Sequence, residues 1–140
     1  MQQLIEFTNN NALLVAGLLA SGLAVIFYEL RSQQRNIASL SIPQAVRLIN
    51  SGARVVDVRP NEQFLNGHLL DARNLPEAKL LENPDAAVGS ADSMLLVCDS
   101  GASSGGCVAR LRKAGHENVF NLRGGLEEWR RENLPLVSGQ

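Results

Sequence analysis

A chain of 140 residues accommodates one ordinary domain with a modest core, and its 19% charged residues leave a formal net charge of −1. Both signs are interspersed, no basic run occurs, and only 4% of residues are aromatic, which argues against nucleic acid as a partner. Cys98 and Cys107, with only His68 and His116 to complete a set, do not have metal-ligand spacing, and no cofactor motif is present.

The first element is apolar. Ala12 to Tyr28 reads ALLVAGLLASGLAVIFY, and no charged residue separates Glu6 from Glu29. As a helix this run covers roughly 26 Å, close to the lower limit for a bilayer core of about 30 Å. Thr8, Asn10 and Asn11 extend it towards the headgroups, and Phe27 and Tyr28 stand where interfacial aromatics do. A cleaved signal peptide fits less well, because no Lys or Arg precedes the run, the run is long, and no A-x-A site follows. A soluble core helix would show a polar face. The reading is therefore a short tail over 1–11 and one transmembrane helix over 12–30. Arg31 and Arg35 follow the span, so the positive-inside rule places the N-terminus outside and the remainder in the cytoplasm. In that reducing compartment both cysteines are thiols. Ala16, Ala20 and Ala24, flanked by Gly17 and Ser21, form a stripe of small residues that would let a membrane-protein partner approach closely.

Residues 31–38 are polar and read as a linker to a domain over 39–140. Ser41-Ile42-Pro43-Gln44 opens a helix with a capping box and an early proline, and Ser51-Gly52 closes it. Arg54 to Val58 predicts a strand, Gln63 to Leu65 a short helix, Ala72 to Leu75 a brief strand, and Glu77 to Leu81 another short helix. Residues 83–92 read as loop. Met94 to Cys98 predicts a strand, about Ser104 to Ala114 a helix stopped by Gly115, Val119 to Leu122 a strand, and Gly125 to Arg131 a final helix in which Trp129 packs on the sheet. Strands alternating with helices predict an α/β fold, a small parallel sheet covered on both faces. Ligands in such sheets bind beyond the carboxyl ends of the strands, where Cys98 falls.

The segment after Cys98 is small and polar: Asp99, Ser100, Gly101, Ala102, Ser103 and Ser104, leading into a helix. A helix N-terminus presents unpaired N–H groups and a partial positive charge, and a thiolate there is stabilised. The plainer reading is a cysteine that packs as a small hydrophobe. Cys107 reads as core, with a resolving thiol as the other role. Asp57 at a strand end would bond to nearby backbone or fix Arg59. Arg59 would face the pocket or pair with Glu62. His68 would hold loops together.

Several segments, in order, resemble a rhodanese domain: Asp57-Val58-Arg59, Glu62-Gln63-Phe64, Gly67-His68-Leu69 and Asn74-Leu75-Pro76, then Cys98 with its loop, then Val119 through Trp129 with its Gly124-Gly125 pair, and Leu134-Pro135-Leu136. The resemblance covers roughly residues 39–137. It implies a rhodanese-like fold and sulfur transfer: Cys98 takes a sulfane sulfur from a donor such as thiosulfate or a persulfide, becomes a persulfide, and passes the sulfur to a thiol or to cyanide. The loop from Asp99 to Ser104 would bind the persulfide anion, with Ser103 and Ser104 hydroxyls adding donors, and Asp57, Arg59 and His68 standing behind it. A membrane-anchored single-domain rhodanese is a known bacterial arrangement, which implies the bacterial inner membrane. Many members carry arginine next to the cysteine and again five positions on. Here those positions are Asp99 and Ser103, so turnover with thiosulfate should be slow, or the donor neutral or protein-borne. A phosphatase of the related fold would need an arginine where Ser104 stands. The competing reading is a weakly active or inactive module that binds protein at the membrane.

Overall fold

Asn11 breaks the N-terminal segment into two helices, α1 (Gln2–Asn10) and α2 (Ala12–Ala38). These and all elements below come from a computed structural model that describes residues 1–139, with side chains other than those at 4, 5 and 31–37. The chain divides into two compact units, Met1–Gln34 and Arg35–Gln140. In the first unit, Ala12–Leu30 has a mean hydropathy of 2.1 and none of it is buried, so it is not a core helix. The tail expected over 1–11 is mostly helical, and the linker expected over 31–38 is the last part of α2. From Glu29 to Ala38 no Gly or Pro occurs, and Glu, Leu, Arg, Gln and Ala all favour helix. Arg31 and Arg35, on which the orientation argument rests, lie outside the residues whose side chains are described. The Ser21 hydroxyl donates to the Leu18 carbonyl of its own helix at 2.9 Å, which leaves the small-residue stripe with packing rather than hydrogen bonding to offer.

The second unit is built on five parallel strands, β1 (Ser39–Leu40), β2 (Arg54–Asp57), β3 (Arg73–Asn74), β4 (Met94–Val97) and β5 (Val119–Leu122), in the order β1-β5-β4-β2-β3. Helices α3 (Ile42–Asn50), α4 (Asn61–Asn66), α5 (Glu77–Glu82), α6 (Pro84–Val88), α7 (Ala102–Lys113) and α8 (Gly125–Arg131) complete it. All four residues of β4 are buried, as a central strand between two helical layers requires. Alternate residues divide between two core clusters. Val56, Leu96, Leu80, Cys107, Val108 and Leu111 pack on one side of the sheet, and Val55, Leu95, Val97, Leu122, Leu126 and Trp129 on the other. Each fully buried Leu contributes about 1.5–3 kcal/mol. The predicted capping box opens α3, where Gln44 Oε1 accepts the Ser41 N–H at 2.9 Å. Trp129 donates from Nε1 to the Pro135 carbonyl at 3.1 Å, closing the C-terminal segment over the second cluster.

The parallel arrangement is as expected, with three local differences. Strand β1 was not expected, residues 84–88 form α6 rather than loop, and α7 starts two residues early at Ala102. Because all strands run the same way, the residues after β2, β3, β4 and β5 emerge along one edge of the sheet. That edge is where Arg59, Glu77, Cys98 and Gly124-Gly125 meet.

Candidate active site

Cys98 follows β4 directly and is only 4% exposed. Its carbonyl accepts the Leu126 N–H at 2.9 Å, and the Asp99 carbonyl accepts the Glu127 N–H at 2.9 Å. The first turn of α8 thus holds the cysteine loop in place. Gly124 and Gly125 have φ of +73° and +60°, and a Cβ on Gly125 would collide with the carbonyl oxygens of Cys98 and Asp99. The Gly-Gly pair exists to let two backbones touch.

The loop turns at Gly101, whose φ of +87° directs its N–H back to the cysteine. Gly101 N donates to Cys98 Sγ at 3.1 Å, Ser104 N points to it at 3.4 Å, and Ser104 Oγ lies 3.1 Å away. Ser104 is fully buried, and its Oγ also lies 2.6 Å from Asn121 Oδ1. The hydroxyl has one proton. With a thiol, S–H donates to Ser104 and Ser104 donates to Asn121; with a thiolate, the proton turns to sulfur. Asn121 is itself held by Nδ2 donating to the Gly101 carbonyl at 3.2 Å and reaching Ser39 Oγ at 3.4 Å.

Sγ looks into an open cleft of about 400 Å³, lined among others by Arg59, Gln63, Glu77, Asp99, Ser100 and Ser103. Arg59 is 5% exposed and locked from behind. Its Nε lies 3.0 and 3.1 Å from the two Asp57 oxygens, and Nη2 donates to Asp57 Oδ2 at 2.6 Å and to the Gly67 carbonyl at 2.7 Å. Burial disfavours its charge, but the hydrogen bonds and charge of Asp57, and then the charge of Asp99, outweigh that and raise its pKa. The remaining nitrogen, Nη1, donates to Asp99 Oδ1 at 3.1 Å. Asp99 therefore turns towards Arg59 rather than in against the thiol, and the expected Arg59–Glu62 pair is replaced by Asp57 and Asp99.

Residues 41–132 match the model of the rhodanese-like domain family. The chain belongs to that family. It is 32% identical to the uncharacterized protein YibN of Escherichia coli strain K12 over the whole of both chains. It is also 37% identical to the thiosulfate sulfurtransferase GlpE of Stutzerimonas stutzeri, covering 62% of this chain and 79% of that one. Among solved structures, a rhodanese-related protein from Thermoplasma volcanium superposes with a TM-score of 0.63 at 23% identity, covering 71% of this chain and 96% of the other.

Within the rhodanese-like domain the six loop residues divide by position. Gly101 and Ser104 reach the sulfur. Ser100 and Ser103 line the cleft, Ala102 opens α7, and Asp99 bonds to Arg59. The expectation that amides from the whole loop converge narrows to two, and the Ser103 hydroxyl has no bond to Sγ among the described contacts. His68 is away from the sulfur: its Nδ1 lies 2.7 Å from the Phe64 carbonyl, its ring stacks on Phe64 at 3.7 Å, and its backbone pairs with Val137. Cys107 is fully buried in the core, and burial, with the charge of Glu77 adding, pushes its thiol up to about 12. It stays protonated at neutral pH, which excludes it as a resolving thiol. Among the described residues no group of three His, Cys, Asp or Glu could hold a metal ion.

Sequence reasoning missed Asn121, Glu77 and the α8 amides. Asn121 had a signal: it is a polar residue inside an apolar strand and shares the side of Val119, which faces α7. Glu77 had none, since only the fold carries the start of α5 to the cysteine.

Proposed function

We propose that this chain is a membrane-anchored sulfurtransferase that moves sulfane sulfur through a persulfide on Cys98. The observation that carries the reading is the set of donors, Gly101 N, Ser104 N and Ser104 Oγ, directed at one sulfur at the floor of an open cleft. Donors fixed in advance around a developing anion need no reorganisation when charge arrives. The Cys98 thiolate attacks the sulfane sulfur of the donor. The donor S–S bond breaks, and sulfite leaves thiosulfate, or a thiolate leaves a persulfide, with the bonding pair. Cys98–S–S⁻ remains, its charge on the outer sulfur. A thiolate or cyanide acceptor attacks that outer sulfur, and Cys98 leaves as thiolate, ready for another cycle. No net oxidation occurs, so the cycle needs no cofactor.

Residues 12–30 anchor the domain, with the N-terminus outside and the domain on the cytoplasmic face of a bacterial inner membrane. The apolar, unburied helix supports the anchor, and the whole-chain match to YibN of Escherichia coli includes that segment. A membrane-protein partner would meet the stripe formed by Ala16, Ala20 and Ala24. The alternative of an inert tether is disfavoured by the donors converging on Sγ, and a phosphatase role by the absence of arginine from the loop.

The test is thiocyanate production from cyanide with thiosulfate or a small persulfide as donor. Wild type should produce it and Cys98→Ser should not. Equal rates in the two proteins would remove Cys98 from the reaction.

A further inference from the structure

Three ionisable side chains face the approach to Cys98: Arg59, Asp99 and Glu77. Arg59 is the only cation lining the cleft, and its other nitrogens are directed at Asp57 and Gly67. The one that turns outward, Nη1, is already held by Asp99. In that pair the arginine side chain is 4% exposed and the carboxylate 44%, so an incoming molecule meets the carboxylate. Exposed Glu77 adds a second carboxylate from a different element. Arg130 comes within 4.0 Å of the same Asp99 oxygen but does not line the cleft. A dianion entering here meets two carboxylates, and the guanidinium that would receive it is engaged.

Resting on the sulfur-transfer reading, we infer that Asp99 and Glu77 set donor specificity: they exclude dianionic sulfane donors and leave the site to persulfides without net negative charge. With such a donor, R–S–SH, the Cys98 thiolate attacks the outer sulfur and the S–S bond breaks. RS⁻ leaves with the bonding pair and takes up the proton of the transferred S–H, giving RSH and Cys98–S–S⁻.

The test measures single-turnover sulfur loading of the full chain in detergent with three donors of graded charge. These are thiosulfate (dianion), methanethiosulfonate (monoanion) and cysteamine persulfide (zwitterion). Each donor is compared between wild type and the D99N and E77Q variants, so differences in intrinsic donor reactivity cancel. Each substitution should raise the thiosulfate rate about fivefold, the monoanion rate less and the zwitterion rate least. Added salt should raise the wild-type thiosulfate rate, because it screens repulsion. Variant-to-wild-type ratios that do not depend on donor charge, or a thiosulfate rate that falls with salt, would overturn the inference while sulfur transfer stands. Failure of all three donors to load wild type would overturn the sulfur-transfer reading and the inference together. Glu77 lies outside the cysteine loop, so E77Q keeps the comparison decisive even where Asn at position 99 disturbs the loop.

Discussion

The proton of Ser104 is shared between two acceptors that cannot both have it. Asn121 Oδ1 holds it when Cys98 is a thiol, and the sulfur takes it when Cys98 is charged. Ser104→Ala removes a donor from the sulfur and leaves Asn121 Oδ1 short of its partner. Loss of one preorganised donor to oxygen costs about 10²–10³ in rate. Sulfur accepts more weakly, so we expect about a tenfold slower loading of Cys98, read by single-turnover mass measurement; an unchanged rate would remove Ser104 from the machinery. Behind the cleft, Asp57 and Arg59 form a buried pair with side chains 0% and 4% exposed. Asp57→Ala leaves the guanidinium buried with its main partner gone, and should cost about 3–5 kcal/mol in urea unfolding. Cys107 gives a pH signature. Its folded pKa of about 12 lies above the ordinary 9.0, so the folded state holds the proton more tightly than the unfolded chain. That contribution is full below pH 9 and is lost as pH rises towards 12. Urea midpoints of Cys107→Ala should therefore fall less steeply than those of wild type over that window. Parallel slopes would contradict the assignment.

At the scale of elements, the contact between the cysteine loop and the first turn of α8 organises the site. Gly125→Ala drives a Cβ into the Cys98 and Asp99 carbonyls at a positive φ, and should cost about 1–3 kcal/mol together with most of the loading rate. Retention of both would mean that the loop does not depend on α8. The elements that local chemistry defines were legible in the sequence. The Ser41–Gln44 box, the apolar run ending at Cys98 and the basic last turn of α7 each carry their own signal. Strand β1 carried none, because a pair of residues becomes a strand only through pairing with β5. Helix α6 was hidden in a polar stretch, where Asn83 caps it by accepting the Ala86 N–H at 3.2 Å. The cysteine and its Gly-Ser loop were readable as a nucleophile's position. Which loop residues reach the sulfur was not, since φ at Gly101 and the placement of Asn121 are set by tertiary contact. The direction of Asp99 was hidden for the same reason: its partner, Arg59, comes from another strand.

At the scale of the whole molecule, a reactive cysteine in one unit is joined by a continuous helix to an apolar segment in the other. Ala38, at the end of that helix, is 5% exposed in the domain core, so the full chain is the proper object of study. In cells, a cysteine introduced by Gln2→Cys should react with a membrane-impermeant maleimide added outside, and one introduced by Gln140→Cys should not. The opposite pattern would invert the orientation. The central claim is that Cys98 carries the sulfur. The most direct measurement is intact mass of the full chain after incubation with a sulfane donor and again after cyanide, for wild type, Cys98→Ser and Cys107→Ser. The account predicts one added sulfur atom in wild type and Cys107→Ser, removed by cyanide and absent from Cys98→Ser. Sulfur retained on Cys98→Ser, or none on folded wild type with any donor, would contradict it.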